Sequence, residues 1–366
     1  MTMGSRYEQS GVHYDILDAG KRLAMAAALS TSQFAEPRGG KSIDGSRGEP
    51  AFIMQLDDFK LAIVMECLGT KSSLAREYQD TCGVDRFDWV GFDGVAAIVN
   101  DLCSSGALPL AVNAYFAVGS RHWYEEPGRF ASLVRGWRAA CEESGAVWGG
   151  GESPMLSGII SEDEIDLAGC AIGYLPRGRS PLIGDALEVG DEIVFVASSG
   201  LHTNGSSLAR AAATRVGGLE KRLSDGTTVG DALLTPSALY VRLLEKLYSE
   251  GVPISYASVI TGHGLRKLMR ADREFTYRVT DLLQVPVSIQ FIVDTLRLPL
   301  EEAYGTLNMG IGMAFFCPSG VGQRIVSAAE AVGQVARVCG QVEDGPREVV
   351  LEPVGVRFAD DSLRLR

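Results

Sequence analysis

The sequence predicts an α/β protein built from two domains. Segments with the patterns of strands and helices alternate through both halves of the chain, as they do in layered α/β structures. The chain has 366 residues, which is more than one compact domain usually holds. Between the two halves, Pro176–Gly190 is rich in Pro, Gly and Arg. We therefore expect a boundary there, with domains at residues 1–175 and 176–366.

In the first half, a short strand or turn near Gly11–Tyr14 is expected before a helix at Lys21–Leu29. The segment Glu36–Pro50 is rich in Gly, Lys, Arg and Ser and is predicted to be a mobile loop. It is either a solvated linker or, as we prefer for a long glycine-rich loop, a lid that orders over phosphates. The apolar periodicity of the following segments predicts strands at Ala51–Leu56, Leu61–Glu66, Ala111–Ala117, Ala146–Trp148 and Glu164–Tyr174, and helices at Gly94–Cys103 and Pro127–Glu143.

The second half repeats this alternation. By the same criteria, strands are expected at Glu192–Ala197, Phe275–Thr280, Met313–Cys317 and Ala336–Val342, and helices at Ser206–Val216, Pro236–Ser249, Leu265–Met269, Val287–Leu296, Leu300–Tyr304 and Gly320–Val332.

Composition excludes several classes of protein. The formal charge is −12, so nucleic acid and anionic membranes are poor partners for the field of the whole chain. The seven cysteines form no C-x-x-C pair, so neither a zinc ribbon nor a disulfide framework is indicated, and this usage suits a reducing cytosol. No apolar run reaches the length of a membrane span and the start lacks a secretory signal. We expect a soluble, cytoplasmic enzyme or binding protein with a small-molecule ligand.

The stretch Ser198–Gly205, reading S-S-G-L-H-T-N-G, is the most informative segment. It lies between an apolar strand and a helix, where backbone N–H groups converge on an anion. It could equally be an ordinary connection with capping hydroxyl groups. Within it, His202 suits proton transfer near neutral pH or a phosphate contact, and Asn204 can hydrogen-bond a phosphate or a carbonyl group.

Three carboxylates could hold Mg²⁺, which prefers carboxylate oxygens and keeps water and substrate phosphates as its other ligands. Glu66 ends a strand, Asp93 follows a short apolar segment and Asp101 lies near the end of a helix. The alternatives are helix capping for Asp93 and a surface charge for Asp101. Lys71 either neutralises phosphate or is a solvated residue at a helix start.

A second glycine-rich turn is expected after the strand at Ala146–Trp148. The three glycines of Gly149–Gly151 let the backbone approach a ligand closely. Glu152 then binds metal or ribose, or caps the next segment.

Several segments resemble, in order, those of the phosphoribosylformylglycinamidine cyclo-ligases, also called aminoimidazole ribonucleotide synthetases. The similarity runs from about Tyr7 to about Pro346. Ser198–Gly205 resembles the family's S-S-G-x-H-S-N-G, and Gly91–Leu102 resembles G-I-D-x-V-A-M-x-V-N-D-L. The other matching segments are Gly69–Lys71, Gly150–Ser153, Ile165–Gly173, Leu233–Val241 and Thr306–Met313.

The resemblance implies two α/β halves, with the N-terminal halves pairing into a shared barrel in a homodimer. It also implies a reaction in which ATP phosphorylates the formyl-amide oxygen of formylglycinamidine ribonucleotide and the amidine nitrogen then expels phosphate, closing an imidazole. Glu66 and Asp93 would hold the Mg²⁺ of Mg²⁺-ATP, Lys71 would neutralise phosphate, and His202 with Asn204 would contact the reacting group. The nucleotide-binding set would be Gly69, Thr70, Lys71, Asp93, Asn100, Asp101, Gly150, Gly151, Glu152, Ser199 and Gly200.

Four positions depart from the family pattern. Glu66 stands in place of Asp, Cys67 and His263 stand in place of Gly, and Met155 stands in place of an acidic residue. These departures leave two alternatives open. One is an ATP-dependent amide-activating enzyme with a different substrate in specialised nucleoside or heterocycle synthesis. The other is a nucleotide-binding paralogue without turnover.

Overall fold

A computed structural model of the chain describes residues 14–363. Two mixed sheets form its framework, one in each half, and the predicted α/β class is confirmed. The first sheet has six strands in the order β1-β2-β3-β6-β4-β5, and the second has seven in the order β13-β12-β9-β11-β7-β10-β8. Within each sheet a single pair of neighbours is parallel, β4 with β5 and β9 with β12.

The strands of the first sheet are β1 (Gly40–Ile43), β2 (Phe52–Leu56), β3 (Phe59–Cys67), β4 (Leu108–Val118), β5 (Val147–Glu152) and β6 (Ile165–Leu175). Those of the second are β7 (Glu192–Ala197), β8 (Tyr256–Val259), β9 (Phe275–Val279), β10 (Ile311–Cys317), β11 (Ala336–Asp344), β12 (Glu348–Leu351) and β13 (Val356–Ala359).

The helices of the described chain are α1 (Tyr14–Leu29), α2 (Lys71–Cys82), α3 (Phe87–Ser104), α4 (His122–Glu125), α5 (Arg129–Ser144), α6 (Ser206–Val216), α7 (Val229–Leu234), α8 (Val241–Ser249), α9 (Val287–Leu296), α10 (Leu300–Tyr304) and α11 (Gly322–Ala331). A tight 3-10 turn covers Gly264–Met269. Within residues 14–363, no helix combines the length and the apolar character needed to cross a bilayer.

Helix α3 is central because it connects the two halves. One side of it packs on α5 and on the first sheet, and it also contacts β8 and α8 of the second half. The α3–α5 crossing is close enough to require glycine. A Cβ atom on Gly91 would lie 2.1 Å from the Leu133 carbonyl oxygen, and one on Gly136 would lie 1.6 Å from that of Asp88. The side chains of α3 that face the second half are therefore held in fixed positions.

The other face of the first sheet is open in the single chain. Side chains alternate along β3, so Val64 faces the helices whereas Ile63 and Met65 point away from them. In the register of the sheet Ile63 lies opposite Ile172 of β6. All three outward-facing residues are exposed, Met65 by 73%. The result is an apolar sheet surface on the first half.

Several predicted elements are confirmed at or near their expected bounds, including β7, α6, α9 and α10. The prediction for Glu36–Pro50 is wrong in part, because Gly40–Ile43 forms a strand that pairs antiparallel with β2. The predicted helix at Pro236–Ser249 begins only at Val241. The feature expected near Gly11–Tyr14 lies mostly outside the described residues.

Two further corrections affect candidate site residues. Asp93 was expected after a short apolar segment, but α3 begins at Phe87, so Asp93 lies inside the helix and is fully buried. Gly149–Gly151 were expected in a turn after a strand, but they continue β5, which pairs with β4 through a register shift. Both differences arise because an element extends further than its local sequence pattern indicated.

Candidate active site

A cleft of about 350 Å³ lies between the two halves of the chain. The first half contributes Glu49, Pro50, Glu66, Cys67, Ala97 and Asp101, and the second half contributes Thr203, Asn204, Thr261, Gly262, His263, Lys267 and Arg270. The lining is mostly polar, and its charges are sorted by sign. Acidic groups lie on the wall from the first half and basic groups on the wall from the second.

The acidic wall centres on Glu66 and Asp101. Glu66 lies near the end of β3 on the side that faces α3, whose last turn carries Asp101. The two carboxyl groups are hydrogen-bonded to each other. Burial first, and then the charge of Asp101, raises the pKa of Glu66 to about 8. At neutral pH Glu66 therefore holds a proton, which a bound cation would displace.

The basic wall comes from the 3-10 turn and the residue after it. Lys267 Nζ donates a hydrogen bond to Thr261 Oγ1. Burial, with the nearby Arg270 charge, lowers the pKa of Lys267 to about 8. Arg270 donates twice to the Gly48 carbonyl oxygen, at 2.8 and 3.0 Å, and it lies 3.6 Å from a carboxylate oxygen of Glu49. Arg270 thus anchors the segment that precedes β2 to the second half.

Lys71 and Asp93 form a buried ion pair away from this cleft. Both side chains are inaccessible to solvent. Lys71 Nζ also donates to the backbone oxygens of His202 at 2.9 Å and Thr235 at 3.2 Å, and Asp93 Oδ1 accepts from Ser237 N at 2.7 Å. Burial raises the pKa of Asp93 and the Lys71 charge opposes that rise. The structure does not bring Asp93 beside Glu66, because Asp93 faces the second half from the middle of α3.

His202 is also enclosed. Its Nε2 atom accepts hydrogen bonds from Ser199 N at 3.1 Å and Ala238 N at 3.3 Å. Burial, with the Lys71 charge adding to it, lowers the pKa of His202 to about 3. The imidazole is therefore neutral at physiological pH, with its ring proton on Nδ1. Its backbone φ of 60° shows that the turn adopts a left-handed conformation at this residue.

This arrangement predicts a pH-dependent stability. The folded pKa of His202 is about 3 against about 6.5 in an unfolded chain, so its contribution is complete above pH 6.5 and is lost as the pH falls toward 3. Between pH 7.5 and pH 5, wild type is expected to lose about 2 kcal/mol more unfolding free energy than His202→Gln. Urea unfolding at both pH values measures this, and equal losses in the two proteins would contradict it.

The remaining residues expected to bind nucleotide fall into two groups. Asn204 and Asp101 line the cleft. Asn100 instead joins the halves, since its Nδ2 donates to the Ala238 oxygen at 2.9 Å and its Oδ1 accepts from Tyr240 N at 3.1 Å. The hydroxyl group of Ser199 donates to the Pro236 oxygen.

Gly200 is held by Asn308, whose Nδ2 donates to the Gly200 oxygen at 2.9 Å. Gly69 and Thr70 precede α2 outside the cleft lining. Gly150, Gly151 and Glu152 are exposed on β5, also outside the cleft lining.

Sequence reasoning missed Glu49, Lys267 and Arg270. The sequence carried only a weak signal for Lys267, which follows another basic residue, Arg266, between the apolar residues Leu265 and Leu268. His263 is one of the four departures from the family pattern. It lines the cleft with a left-handed φ of 72°, a backbone conformation that a glycine adopts without strain.

The cleft offers few side chains that could bind a metal ion. Among residues 14–363 no group of three or more His, Cys, Asp or Glu side chains is arranged to hold a metal ion. Glu66 and Asp101 nevertheless offer two facing carboxyl groups. Because Mg²⁺ commonly takes one or two carboxylates and completes its shell with water and substrate phosphates, this pair fits a magnesium ion that arrives with a nucleotide.

Family models match both halves of the chain. The model described as AIR synthase related protein, N-terminal domain, matches residues 48–175, and the corresponding C-terminal domain matches residues 188–352. The chain belongs to the AIR synthase related family. The resemblance noted in the sequence is thereby confirmed at the level of the family.

Two relatives of similar length carry the same name. The chain is 30% identical over 357 residues to a phosphoribosylformylglycinamidine cyclo-ligase of Lachnospira eligens, covering 94% of this chain and 99% of the relative. It is 30% identical over 348 residues to the protein of that name from Methanobrevibacter smithii, covering 94% and 96%. The fold is also similar to the hydrogenase maturation protein HypE solved in complex with ATP, with a TM-score of 0.58, 18% identity and 81% and 83% coverage.

Proposed function

We propose that the protein is an ATP-dependent cyclo-ligase that converts formylglycinamidine ribonucleotide to aminoimidazole ribonucleotide. The observation that carries the proposal is the 30% sequence identity of the chain to the two cyclo-ligases over nearly their whole lengths. The charge-sorted cleft supports it, because a polar cavity with facing carboxylates suits a metal-bound polyphosphate. Seven unpaired cysteines and the use of ATP favour a cytoplasmic location.

In this proposal the magnesium site shifts from Glu66 and Asp93 to Glu66 and Asp101. The ion, when bound, would neutralise charge on the phosphates of ATP. Asn204 reaches the cleft from the turn before α6 and is proposed to contact the reacting amide. Catalysis then depends on positioning and charge neutralisation more than on a strong nucleophile, because phosphorylation makes the amide oxygen a good leaving group.

The buried residues of the segments that match the family are proposed to position the cleft. Lys71, Asp93 and Asn100 join α2 and α3 to the second half, and His202 fixes the turn from Ser199 to Gly205. They would hold the two walls of the cleft at a constant separation, without touching the nucleotide.

We also propose that a second copy of the chain covers the open face of the first sheet, as the family resemblance implies. The exposed apolar residues of β3 and β6 support this, because an apolar surface of this kind marks a protein interface. Met65→Glu is expected to convert a dimer to a monomer that remains folded. Light scattering measures the mass, and Val335→Glu, an exposed position in the second half, serves as the control that stays dimeric. A monomeric wild-type protein would overturn the proposal.

The enzymatic proposal is tested by incubating the protein with ATP, Mg²⁺ and formylglycinamidine ribonucleotide. ADP and aminoimidazole ribonucleotide should form in equal amounts. If folded protein binds ATP but yields no imidazole product, the proposed substrate is wrong.

A second candidate keeps the ATP chemistry and changes the substrate. Its support is that Cys67 and His263 both line the cleft, where the family pattern has glycines. Normal rescue of a purine auxotroph would contradict this alternative. A paralogue without turnover would instead bind ATP and release no ADP with any candidate amide.

A further inference from the structure

The cleft needs a cation for an anionic ligand, and the lysine expected to supply it does not. Lys71 is enclosed by Asp93 and two backbone oxygens, so its charge is already balanced. Arg270 lines the cleft, but its guanidinium group is held by the Gly48 oxygen and faces Glu49. Its donors are therefore largely committed to the segment before β2.

Lys267 is in a different situation. Its side chain leaves the 3-10 turn and lines the cleft, and it is only 8% exposed. Its backbone oxygen accepts a hydrogen bond from Ser258 Oγ at 3.0 Å, which fixes the base of the side chain. Thr261 accepts one hydrogen bond from the ammonium group. Since an ammonium group has three donors, Lys267 retains donors for a ligand.

The position of Lys267 relative to the carboxylates determines how a charged ligand would be oriented in the cleft. Glu66 and Asp101 lie on the opposite wall, and both act on Lys267 electrostatically. A polyphosphate alone would be repelled by the acidic wall and attracted by the basic wall. A polyphosphate that carries a divalent cation can place the cation toward the carboxylates and its free oxygens toward the ammonium group.

We propose that Lys267 is the phosphate-binding cation of this cleft, contacting the terminal phosphate of a metal-bound nucleoside triphosphate. This rests on the nucleotide site of the proposed function. During transfer the bond between the terminal phosphorus and the bridging oxygen of ATP breaks, a bond from that phosphorus to the substrate amide oxygen forms, and ADP leaves. Lys267 keeps its protons throughout and balances charge on the transferred group.

A purely structural role for Lys267 makes a different prediction. If the ammonium group only offsets the charge of Glu66 and Asp101, then its removal changes stability and affects all ligands of the cleft alike. If it binds phosphate, then its removal weakens ligands in proportion to their phosphate content. Adenosine and ATP differ in that respect alone.

The test is calorimetric titration of the full chain with ATP or adenosine, both with Mg²⁺. Lys267→Met is expected to weaken ATP binding about tenfold or more, the usual order for a lost charged hydrogen bond, and to leave adenosine binding unchanged. Lys267→Arg should lose much less ATP affinity because it keeps the charge. Lys246→Met is the control, since Lys246 is a partly exposed surface residue paired with Glu250. Equal losses for ATP and adenosine, or no loss for ATP, would overturn the proposal.

A measurement on the wild-type protein covers the case in which Lys267→Met does not fold. ATP with Mg²⁺ should protect Lys267 from reductive methylation, adenosine should not, and Lys246 should react in both cases. Protection by adenosine to the same extent would refute the phosphate contact. Neither experiment contains formylglycinamidine ribonucleotide, so a failure to make aminoimidazole ribonucleotide would count against the proposed function alone. If the wild-type protein makes aminoimidazole ribonucleotide and Lys267→Met binds ATP as tightly as wild type, only the proposed phosphate contact of Lys267 is contradicted.

Discussion

Replacing Glu66 by glutamine is expected to lower kcat for the cyclo-ligase reaction by about 100-fold or more, the order seen when one electrostatic contact to a reacting group is removed. Glutamine preserves the size of the side chain and can keep a hydrogen bond to Asp101. It cannot become a carboxylate when a cation enters the cleft. The loss therefore isolates the charge of Glu66, and steady-state kinetics at saturating ATP and Mg²⁺ measures it.

The matched variant is Glu66→Asp, which restores the residue that the family pattern has at this position. It keeps the carboxylate and retracts it by one methylene, so activity within about tenfold of wild type is expected, because one displaced contact costs less than a lost charge. If Glu66→Gln turns over as fast as wild type, the magnesium site lies elsewhere.

Glu66→Gln should also change how the stability of the protein depends on pH. The pKa of Glu66 is raised from 4.5 to about 8 in the folded protein, so the folded state holds a proton that the unfolded state releases. The contribution of Glu66 is complete below pH 4.5 and is lost as the pH rises through 8. Glu66→Gln should therefore become progressively more stable relative to wild type between pH 5 and pH 8.5. Urea unfolding at these two pH values reports the difference independently of turnover.

Local pattern was sufficient for some elements but not for every long one, since the helix α2 (Lys71–Cys82) was not predicted. The bounds of α9 and α10 and of strand β7 follow from apolar spacing within the element itself. The strands that escaped prediction, such as β1 and β8, have four residues each. Such short segments carry little periodicity, and their pairing with β2 and β10 depends on distant parts of the chain.

At the candidate site, too, local sequence did not determine where each side chain lies in the folded chain. The motifs correctly indicated the family, but they did not separate residues that line the cleft from residues that join the two halves. Asp93 and Asp101 belong to one helix, yet Asp93 meets Lys71 whereas Asp101 meets Glu66. The direction in which each side chain of α3 points depends on where the helix starts, at Phe87, and on its packing against α5. A charge in the sequence gives no sign of this.

Lysines illustrate the point most clearly. Lys71 stands within a glycine-rich motif, whereas Lys267 follows Arg266 in the predicted helix Leu265–Met269, so the sequence favours Lys71 for phosphate. The partners that enclose Lys71 are 22, 131 and 164 residues away, and only the folded chain assembles them. A motif residue can thus be essential to a site while contacting no ligand.

Removing that enclosed charge should have the largest effect on stability. Lys71→Met is expected to cost about 3–5 kcal/mol of unfolding free energy, because it leaves Asp93 buried without its counter-charge. It also deprives the oxygens of His202 and Thr235 of a donor. Urea unfolding measures the cost, and Lys246→Met, which breaks a partly exposed surface pair with Glu250, should cost about 1 kcal/mol or less.

A double-mutant cycle with Asp93→Asn tests whether the pair acts as a unit. The double variant should cost clearly less than the sum of the two single variants, since neither partner is then left as an isolated buried charge. Because the backbone partners of Lys71 belong to the second half, its loss should also loosen the joint between the halves and broaden the unfolding transition. Additive costs, or a loss below about 1 kcal/mol for Lys71→Met, would show that the pair does not hold the halves together.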